Sequence, residues 1–344
     1  MTDVAISGCG VAAIATAWLF AERGRSVTMF GRPTRGPLAV VVNHVTSELL
    51  EDLGLLVSRE LEWHRITSRL VQWGEAEAIR TTETSHAICG DRFTSVLMAR
   101  LLHCHGARVS INCDPIPNCV QARWRIVASG RRPDVTWSGE KPGRLTFGRR
   151  QALCVEVVTT GRAPEIVVEL LRSGWLFFTP TGETTGMLMW IVAKPATAPI
   201  EDLRLVLNSS RLLHGLVKKM SEQVRVVEIA PSLLHPATGT DWLAVGDAAL
   251  AVDPLCGDGV GYAVRSALLA VAAIEGEDAG QPGCLAHYRG RLRRAFVAHL
   301  NACHEYYSVD ILGKEWDTEK VASARGAMYL DSSTREDAFH YILT

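Results

Sequence analysis

Val4-Ala5-Ile6-Ser7-Gly8-Cys9-Gly10-Val11-Ala12-Ala13 decides the fold. A short apolar run suited to a buried strand meets a Gly-x-Gly-x-x-Ala turn, and Val11 to Glu22 continues with helical character. In such a unit Gly8 permits the tight turn and Gly10 lets a pyrophosphate approach the backbone. Ala13 lets helix and strand pack closely, and the phosphate sits at the helix N-terminus. Gly24-Arg25 ends the helix, and Ser26 to Phe30 reads as a second strand. Glycine-rich turns also serve plain strand–helix packing. The order strand, glycine loop, helix, strand is what raises this one to a dinucleotide site.

A second stretch completes the pattern far along the chain: Asp241-Trp242-Leu243-Ala244-Val245-Gly246-Asp247-Ala248-Ala249, then Asp253-Pro254-Leu255-Cys256-Gly257-Asp258-Gly259-Val260-Gly261-Tyr262-Ala263. It reads as a buried strand ending in Gly-Asp, a Pro/Gly loop and a helix start. Together these place one carboxylate and several backbone N–H groups against an anionic ligand.

Between the two stretches the organisation is discontinuous. A second helix runs from Thr46 to Leu53 and stops at Gly54, and Glu60 to Arg80 alternates as antiparallel strands with one wet face do. Asp91 to Gly106 is helical, Ala107 to Asn112 strand-like, and Trp124 to Ala128 a further strand ending in Ser129-Gly130-Arg131-Arg132. Cys154 to Val192, rich in Val, Thr and aromatics, reads as a sheet of another layer. A helical stretch over 200–222 precedes the late segment, and a polar helical tail follows it. The expected division is a nucleotide-binding domain from 1–56, 86–135 and 236–290, a substrate domain from 57–85 and 136–235, and a C-terminal helical region over 291–344.

At 344 residues with 47% hydrophobic content the chain can bury a sizeable core, and a net charge of -1 supplies no general field for nucleic acid or an anionic membrane. No apolar run reads as long enough to span a bilayer. The N-terminus starts on a strand rather than a basic signal region, and the nine cysteines are scattered without CxxC pairs. A cytoplasmic location is the expectation. His103-Cys104-His105 with Cys113 and Cys119 fits no zinc spacing, because neighbours on a helix diverge, so no metal is expected.

The GxGxxA start, Asp91-Arg92-Phe93 opening a helix, Ala128-Ser129-Gly130-Arg131 and the Gly246-Asp247 to Ala263 segment occur in the order seen in flavoproteins related to p-hydroxybenzoate hydroxylase, and the chain resembles that superfamily over about residues 1–290. Within it the chain is similar to the branch of flavin-dependent halogenases, geranylgeranyl reductases and the LodB/GoxB/QhpG-type proteins that oxidise tryptophan in peptides or proteins. The resemblance implies an α/β fold: a Rossmann-like FAD domain, an inserted mainly antiparallel substrate-binding sheet and a helical C-terminal tail. It places Gly8, Gly10 and Ala13 along the pyrophosphate, Asp247 on the ribityl chain with Gly246 beside it, and Pro254, Gly257, Gly259, Val260 and Gly261 beneath the isoalloxazine. Arg92 matches the family's arginine near the cofactor. A plain turn at each glycine and a helix N-cap at Asp247 are the alternative readings.

The departures are specific. Gly31 stands where the ribose-binding acid is expected, and Arg32 or Arg35 is the substitute contact to adenosine or phosphate, unless each is an ordinary solvated arginine. Leu38 to Val42 replaces the usual Gly-Glu, and Ser129-Gly130 replaces Asp-Gly. FAD that is loosely held or shared is the expectation from these losses.

The resemblance implies a monooxygenase or oxidase that oxidises an aromatic substrate through a flavin C4a-hydroperoxide, in natural-product or cofactor biosynthesis, with tryptophan in a peptide or protein as the sharper expectation. O2 is the oxidant. NAD(P)H or a separate flavin reductase supplies electrons, because no second dinucleotide fingerprint is present. His44, His64, His86 and Asp258 are candidates for the acid–base group by type, Asp258 foremost because it lies in the flavin loop, with His44 as the second choice. Cys256 shares that loop, as a reactive thiol or a small packed residue. Trp175, Phe177 and Phe178 are the expected substrate-pocket aromatics, strand alternation making some of them core.

Halogenation is the first alternative. Trp175-Leu176-Phe177-Phe178-Thr179-Pro180 keeps only the first Trp and the Pro of the halogenase WxWxIP string, and no lysine precedes Lys141, which argues against it. Reduction of an isoprenoid is a further alternative. A degenerate flavoprotein that binds a partner without turnover is the alternative of another class.

Overall fold

The computed structural model describes residues 2–32, 38–56, 62–75, 77–117, 120–133, 135, 142–161 and 165–342, with side chains to Asp331. The chain divides into two units, the first made of Met1–Glu62, Cys89–Thr146 and Ser232–Arg294, the second of Trp63–Ile88, Phe147–Pro231 and Ala295–Thr344.

In chain order the first unit begins with β1 (Thr2–Ser7), α1 (Val11–Glu22), β2 (Val27–Phe30), β3 (Val40–Asn43) and α2 (His44–Asp52). The second contributes β4 (His64–Gln72) and β5 (Ile79–Ile88). The first resumes with α3 (Gly90–His105), β6 (Val109–Asn112), β7 (Ala122–Val127) and β8 (Gly143–Thr146). The second takes β9 (Gln151–Thr159), β10 (Glu165–Leu171), β11 (Gly174–Pro180), β12 (Thr185–Val192), α4 (Pro199–Ser209), β13 (Val217–Met220) and β14 (Arg225–Glu228). β15 (Ser232–His235), β16 (Trp242–Ala244), β17 (Leu250–Ala251) and α5 (Gly259–Asp278) return to the first. α6 (Cys284–Tyr307) divides between the units at Arg294, and α7 (Asp317–Ile342) closes the second.

The first unit is built on a five-stranded sheet in the order β16-β7-β1-β2-β6, every pairing parallel, beside a small antiparallel sheet β17-β15-β8. β1 is buried from Val4 to Ile6, as a central parallel strand should be. Helix α1 is apolar on all sides, with Ala12 to Ala21 buried, because it packs on α3 and α5 as well as on the sheet. The Asn43 side chain accepts from Thr46 N–H at 2.8 Å, so α2 opens at His44, two residues before the expected Thr46.

In the second unit the strands run β13-β9-β12-β11-β10-β4-β5, with β14 also paired to β9. All pairings are antiparallel except β10 with β4. One face forms a core of Leu153, Val155, Leu176, Phe178 and Leu188 against Leu203, Val206 and Leu207 of α4.

Two expectations are corrected. The stretch 200–222 is not one helix. Helix α4 stops at Ser209, where the buried Glu169 carboxylate accepts from the Ser210 hydroxyl and from the backbone N–H groups of Arg211 (2.7 Å) and Leu212 (3.3 Å), and Val217–Met220 then pairs with β9. Glu169 thereby satisfies the backbone donors of the turn that follows the helix. Secondly, α5 is long and apolar enough to cross a bilayer by composition. Its Val264, Ala267, Ala270, Val271 and Ile274 are buried and α1 packs on it, so the same composition serves a core helix.

Candidate functional site

The first unit carries the candidate site at the carboxyl edge of its parallel sheet. β2 lies on one side of β1 and β7 on the other, so the strand order reverses at β1, and the crevice outside that reversal is where open α/β sheets bind ligands. The loops after β1, β2, β7 and β16 all emerge there.

Gly8 leaves β1 with φ +126°, and a Cβ on it would lie 2.3 Å from the Ala128 carbonyl oxygen after β7. Its N–H donates to Phe30 O at 2.8 Å, and Ala128 N–H donates to Ser7 O at 2.8 Å. Glycine is therefore required at position 8 by the close passage of two strand ends. Gly10 differs: a Cβ there would meet nothing within 4 Å, and the residue sits exposed as the α1 N-cap, with no side-chain cap and no acid in the first turn. The positive end of α1 is thus left free for an anion. Ala13 is fully buried. The Cys9 thiol donates to Gly31 O at 3.2 Å. Gly31 has φ +121°, a conformation that a carboxylate-bearing residue would adopt only with strain, so the backbone itself explains the missing ribose acid. Arg32 is exposed and Arg35 lies outside the described residues.

The late segment supplies the other half. Gly246 has φ +57°, its N–H donates to Ser266 Oγ at 2.9 Å, and a Cβ on it would lie 2.6 Å from the Cβ of Ala12. Its bareness serves the approach of α1. Asp247 follows in a single tight turn, with its side chain 42% exposed and Oδ2 at 3.4 Å from Arg131 Nε. Arg144 of β8 holds that turn from behind, donating to Asp247 O at 2.7 Å, to Ala248 O at 2.9 Å and, through Nε, to Ser232 Oγ at 2.9 Å. Burial, then the charge of Arg131, lowers the Arg144 guanidinium to about 10, with Asp247 opposing, so it stays a cation at neutral pH. Two cations around one carboxylate leave the turn net positive.

Beyond β17, the Asp253 side chain caps a short turn over Pro254–Cys256 by accepting from Leu255 N–H at 3.0 Å. Gly257 (φ +61°) and Gly259 are exposed, and a Cβ on either would meet nothing within 4 Å. Val260 is half-buried. Asp258 caps α5: Oδ1 accepts from Gly261 N–H at 3.2 Å and Thr46 Oγ1 at 2.9 Å, and Oδ2 pairs with Arg265 at 2.6 Å. A Cβ on Gly261 would lie 2.4 Å from both Asp258 Oδ1 and Thr46 Oγ1. Both oxygens of the foremost candidate base are thus engaged in fixing the helix start. The Cys256 thiol is pushed up by desolvation, a backbone hydrogen bond at Asp258 opposing and the carboxylates of Asp253, Asp258 and Asp247 adding to it, which disfavours the reactive thiolate.

His44, at the first position of α2, is 63% exposed and pairs with Glu48 at 3.1 Å. Arg92, 52% exposed on α3, pairs with Glu62 at 3.0 Å. His64 and His86 belong to the second unit. There His86 lies 5.5 Å from the Trp63 ring, and its pKa is lowered from 6.5, first by burial and then by Arg65. The folded chain keeps this imidazole neutral while the unfolded chain protonates it below about pH 6.5. Its contribution to stability is therefore complete above that pH and falls as acid is added. His86→Gln should flatten the fall in thermal midpoint between neutral and mildly acidic buffer; an unchanged profile would place the acid sensitivity elsewhere.

In the second unit β11 divides the expected pocket aromatics by alternation. Phe178 is core and closes against Gly186, where a Cβ would lie 2.4 Å from its ring. Trp175 and half-buried Phe177 face the other way, with ring centroids 6.2 Å apart. Trp175 is buried, meets Trp73 edge-on at 5.9 Å and donates Nε1–H to the Tyr307 hydroxyl at 3.2 Å, and Trp73 also meets exposed Tyr306 edge-on at 5.9 Å. Behind them Arg150 lies over the Tyr307 ring at 4.9 Å and 3.5 Å from Glu319. Trp73, Tyr306, Arg131 and Arg144 are the functional candidates that sequence reasoning did not assign.

The parallel sheet with its glycine loop, the antiparallel sheet and the helical C-terminus make up a fold shared with solved FAD-dependent halogenases and monooxygenases. The chondrochloren halogenase CndH, a myxobacterial FAD-dependent halogenase, superposes with a TM-score of 0.80 at 18% identity, over 93% of this chain and 86% of that one. The peptidyl tryptophan dihydroxylase QhpG, essential for tryptophylquinone cofactor biogenesis, gives 0.70 at 21% identity over 89% and 75%. A geranylgeranyl bacteriochlorophyll reductase-like protein from Thermoplasma acidophilum gives 0.67 at 16% identity over 96% and 90%. No protein-family model and no curated protein sequence matches the chain. One fold carries these differently named proteins, so it does not by itself choose a reaction.

Proposed function

We propose that this protein binds FAD and acts as a FAD-dependent monooxygenase on an aromatic substrate, with tryptophan in a peptide or protein as the substrate class. The observation that carries the reading is Gly10, which borders open space at the sheet's switch point and leaves the positive end of α1 free, while Gly257 and Gly259 border open space at the start of α5, the helix that packs on the Asp247 turn. These residues fit a dinucleotide. The α1 N-terminus holds the pyrophosphate, the Asp247 carboxylate accepts from ribityl hydroxyls, and Arg131, Arg144 and the α5 N-terminus favour negative charge on the isoalloxazine. FAD, when bound and reduced by NAD(P)H or a partner reductase, supplies oxygen activation. The chain's own part is to bind, orient and exclude water. Trp73, Phe177 and Tyr306 offer ring faces for an aromatic substrate.

The test supplies the FAD-loaded protein with NADH or NADPH, with and without a flavin reductase, and a tryptophan-containing peptide, followed by mass spectrometry. Gain of oxygen with donor consumption is the expected result. Loss of hydrogen alone redirects the reading to oxidation, and added chlorine or bromine in halide buffer replaces it with halogenation. Flavin binding without turnover on any aromatic substrate would favour the non-catalytic alternative.

A further inference from the structure

The Asp247 carboxylate is aimed by its backbone. Its side chain is 42% exposed, and the contact it makes, with Arg131 Nε, is a long one at 3.4 Å. A contact of that length at a half-exposed side chain fixes little. The reach of the carboxylate therefore follows from how the peptides of the turn are held. Arg144 holds them: Nη2 donates to Asp247 O at 2.7 Å, Nη1 to Ala248 O at 2.9 Å and Nε to Ser232 Oγ at 2.9 Å. One planar guanidinium thus pins two successive carbonyls of the turn to β15, and Leu234 N–H adds a backbone bond to Ala249 O at 2.9 Å.

Arg144 lies on β8, which pairs with β15 so that Ser232 stands opposite Thr146. The chain leaves the first unit after Thr146 and re-enters it at Ser232. The turn that carries Asp247 is therefore tied, through one arginine side chain, to the two strands between which the second unit's longest segment departs and returns. Arginine suits this task because its donors lie in a fixed plane and reach three acceptors at once. Lysine offers the same charge as a point on a flexible stem.

We propose that Arg144 is a positioning residue for FAD binding: it sets the aim of the Asp247 carboxylate by clamping the Asp247 and Ala248 carbonyls to Ser232, and its own donors are spent on the protein. The inference rests on the FAD reading above. It goes beyond the charge assigned to Arg144 there, since Arg144→Lys keeps the charge and loses the clamp.

A double-mutant cycle of Arg144→Lys with Asp247→Ala tests it, read by FAD dissociation constants, apo thermal midpoints and the visible circular dichroism of bound flavin. In metal sites, losing the partner that orients a ligating group weakens binding about ten- to a hundredfold, and the lower end is expected for Arg144→Lys alone. In the Asp247→Ala background, with no carboxylate to aim, the same change should cost under about twofold, the scatter of independent sites. The apo midpoint should fall equally in both backgrounds, because the clamp's part in the fold does not depend on the carboxylate. At saturating FAD the flavin dichroism of Arg144→Lys should resemble that of Asp247→Ala more than that of wild type. Equal affinity losses in the two backgrounds, or unchanged affinity in Arg144→Lys, would overturn the proposal and leave Arg144 to charge or to the fold. Should Arg144→Lys fail to fold, Ser232→Ala removes one anchor and keeps the guanidinium. Its expected loss is about threefold, the size of one hydrogen bond, and the loss should vanish in the Asp247→Ala background; a loss that persists there overturns the proposal as well. A wild-type protein that binds no FAD would remove the FAD reading and this inference with it, an outcome distinct from wild-type binding that the variants leave undisturbed.

Discussion

Gly10→Ala is expected to leave the protein folded and weaken FAD binding at least about a hundredfold, close to 3 kcal/mol, while Gly8→Ala unfolds the first unit. The two glycines stand two residues apart in one loop, and a sequence motif treats them alike. Their surroundings do not. A methyl on Gly8 would sit 2.3 Å from the Ala128 carbonyl at φ +126°, so either β1 and β7 part or the residue carries severe strain, a loss of about 3 kcal/mol or more. A methyl on Gly10 meets nothing within 4 Å, at an ordinary φ of -84°. Its cost to the fold is the poorer N-cap, about 1 kcal/mol. The methyl instead takes the space through which a pyrophosphate reaches the α1 N–H groups. Circular-dichroism melts and FAD titrations of both variants check this. A folded Gly10→Ala that binds FAD like wild type would move the phosphate away from α1.

Asp247→Ala should cost FAD affinity about ten- to a hundredfold, as expected for hydrogen bonds to a charged group, with little change in the apo midpoint. The carboxylate is 42% exposed and its protein partner is Arg131 at 3.4 Å, a contact that solvent screens to well under about 1 kcal/mol. The backbone of the turn stays held by Arg144 through the Asp247 and Ala248 carbonyls, so the variant loses a ligand contact and keeps its scaffold. The effect should exceed that of Arg32→Ala, since Arg32 is an exposed side chain. Equal losses in the two variants would argue that Asp247 does not touch the ribityl chain.

The first unit was legible because its signals are local. β1, the glycine loop, α1 and β2 follow one another within thirty residues, and the Gly246-Asp247 turn carries its own motif. What sequence could not show is which neighbour each residue meets. Gly8, Gly246 and Gly261 are bare because Ala128, Ala12 and the Asp258–Thr46 pair fill the space, and Ala128, Ala12 and Thr46 each lie far along the chain from the glycine they crowd. Asp258 reads as a base from its place in the loop and proves to be the α5 cap only once Thr46, Gly261 and Arg265 converge on it. Arg144 belongs to no motif, since its role is set by β8 running beside β15. The end of α4 was missed because the group that satisfies it, Glu169, comes from a strand some forty residues earlier. Strand alternation rightly warned that the β11 aromatics would divide, and Phe178 went to the core.

The late position of α5 also bears on how the chain acquires its fold. Helix α1 emerges early in synthesis with an apolar surface on every side, and the helix it packs against, Gly259–Asp278, is made only after the whole of the second unit's sheet. The edge strand β16 of the parallel sheet is equally late. A nascent chain therefore leaves the α5-facing side of α1 and the β16-facing edge of β7 uncovered until late in synthesis, the kind of apolar surface and open strand edge that favours aggregation before folding is complete.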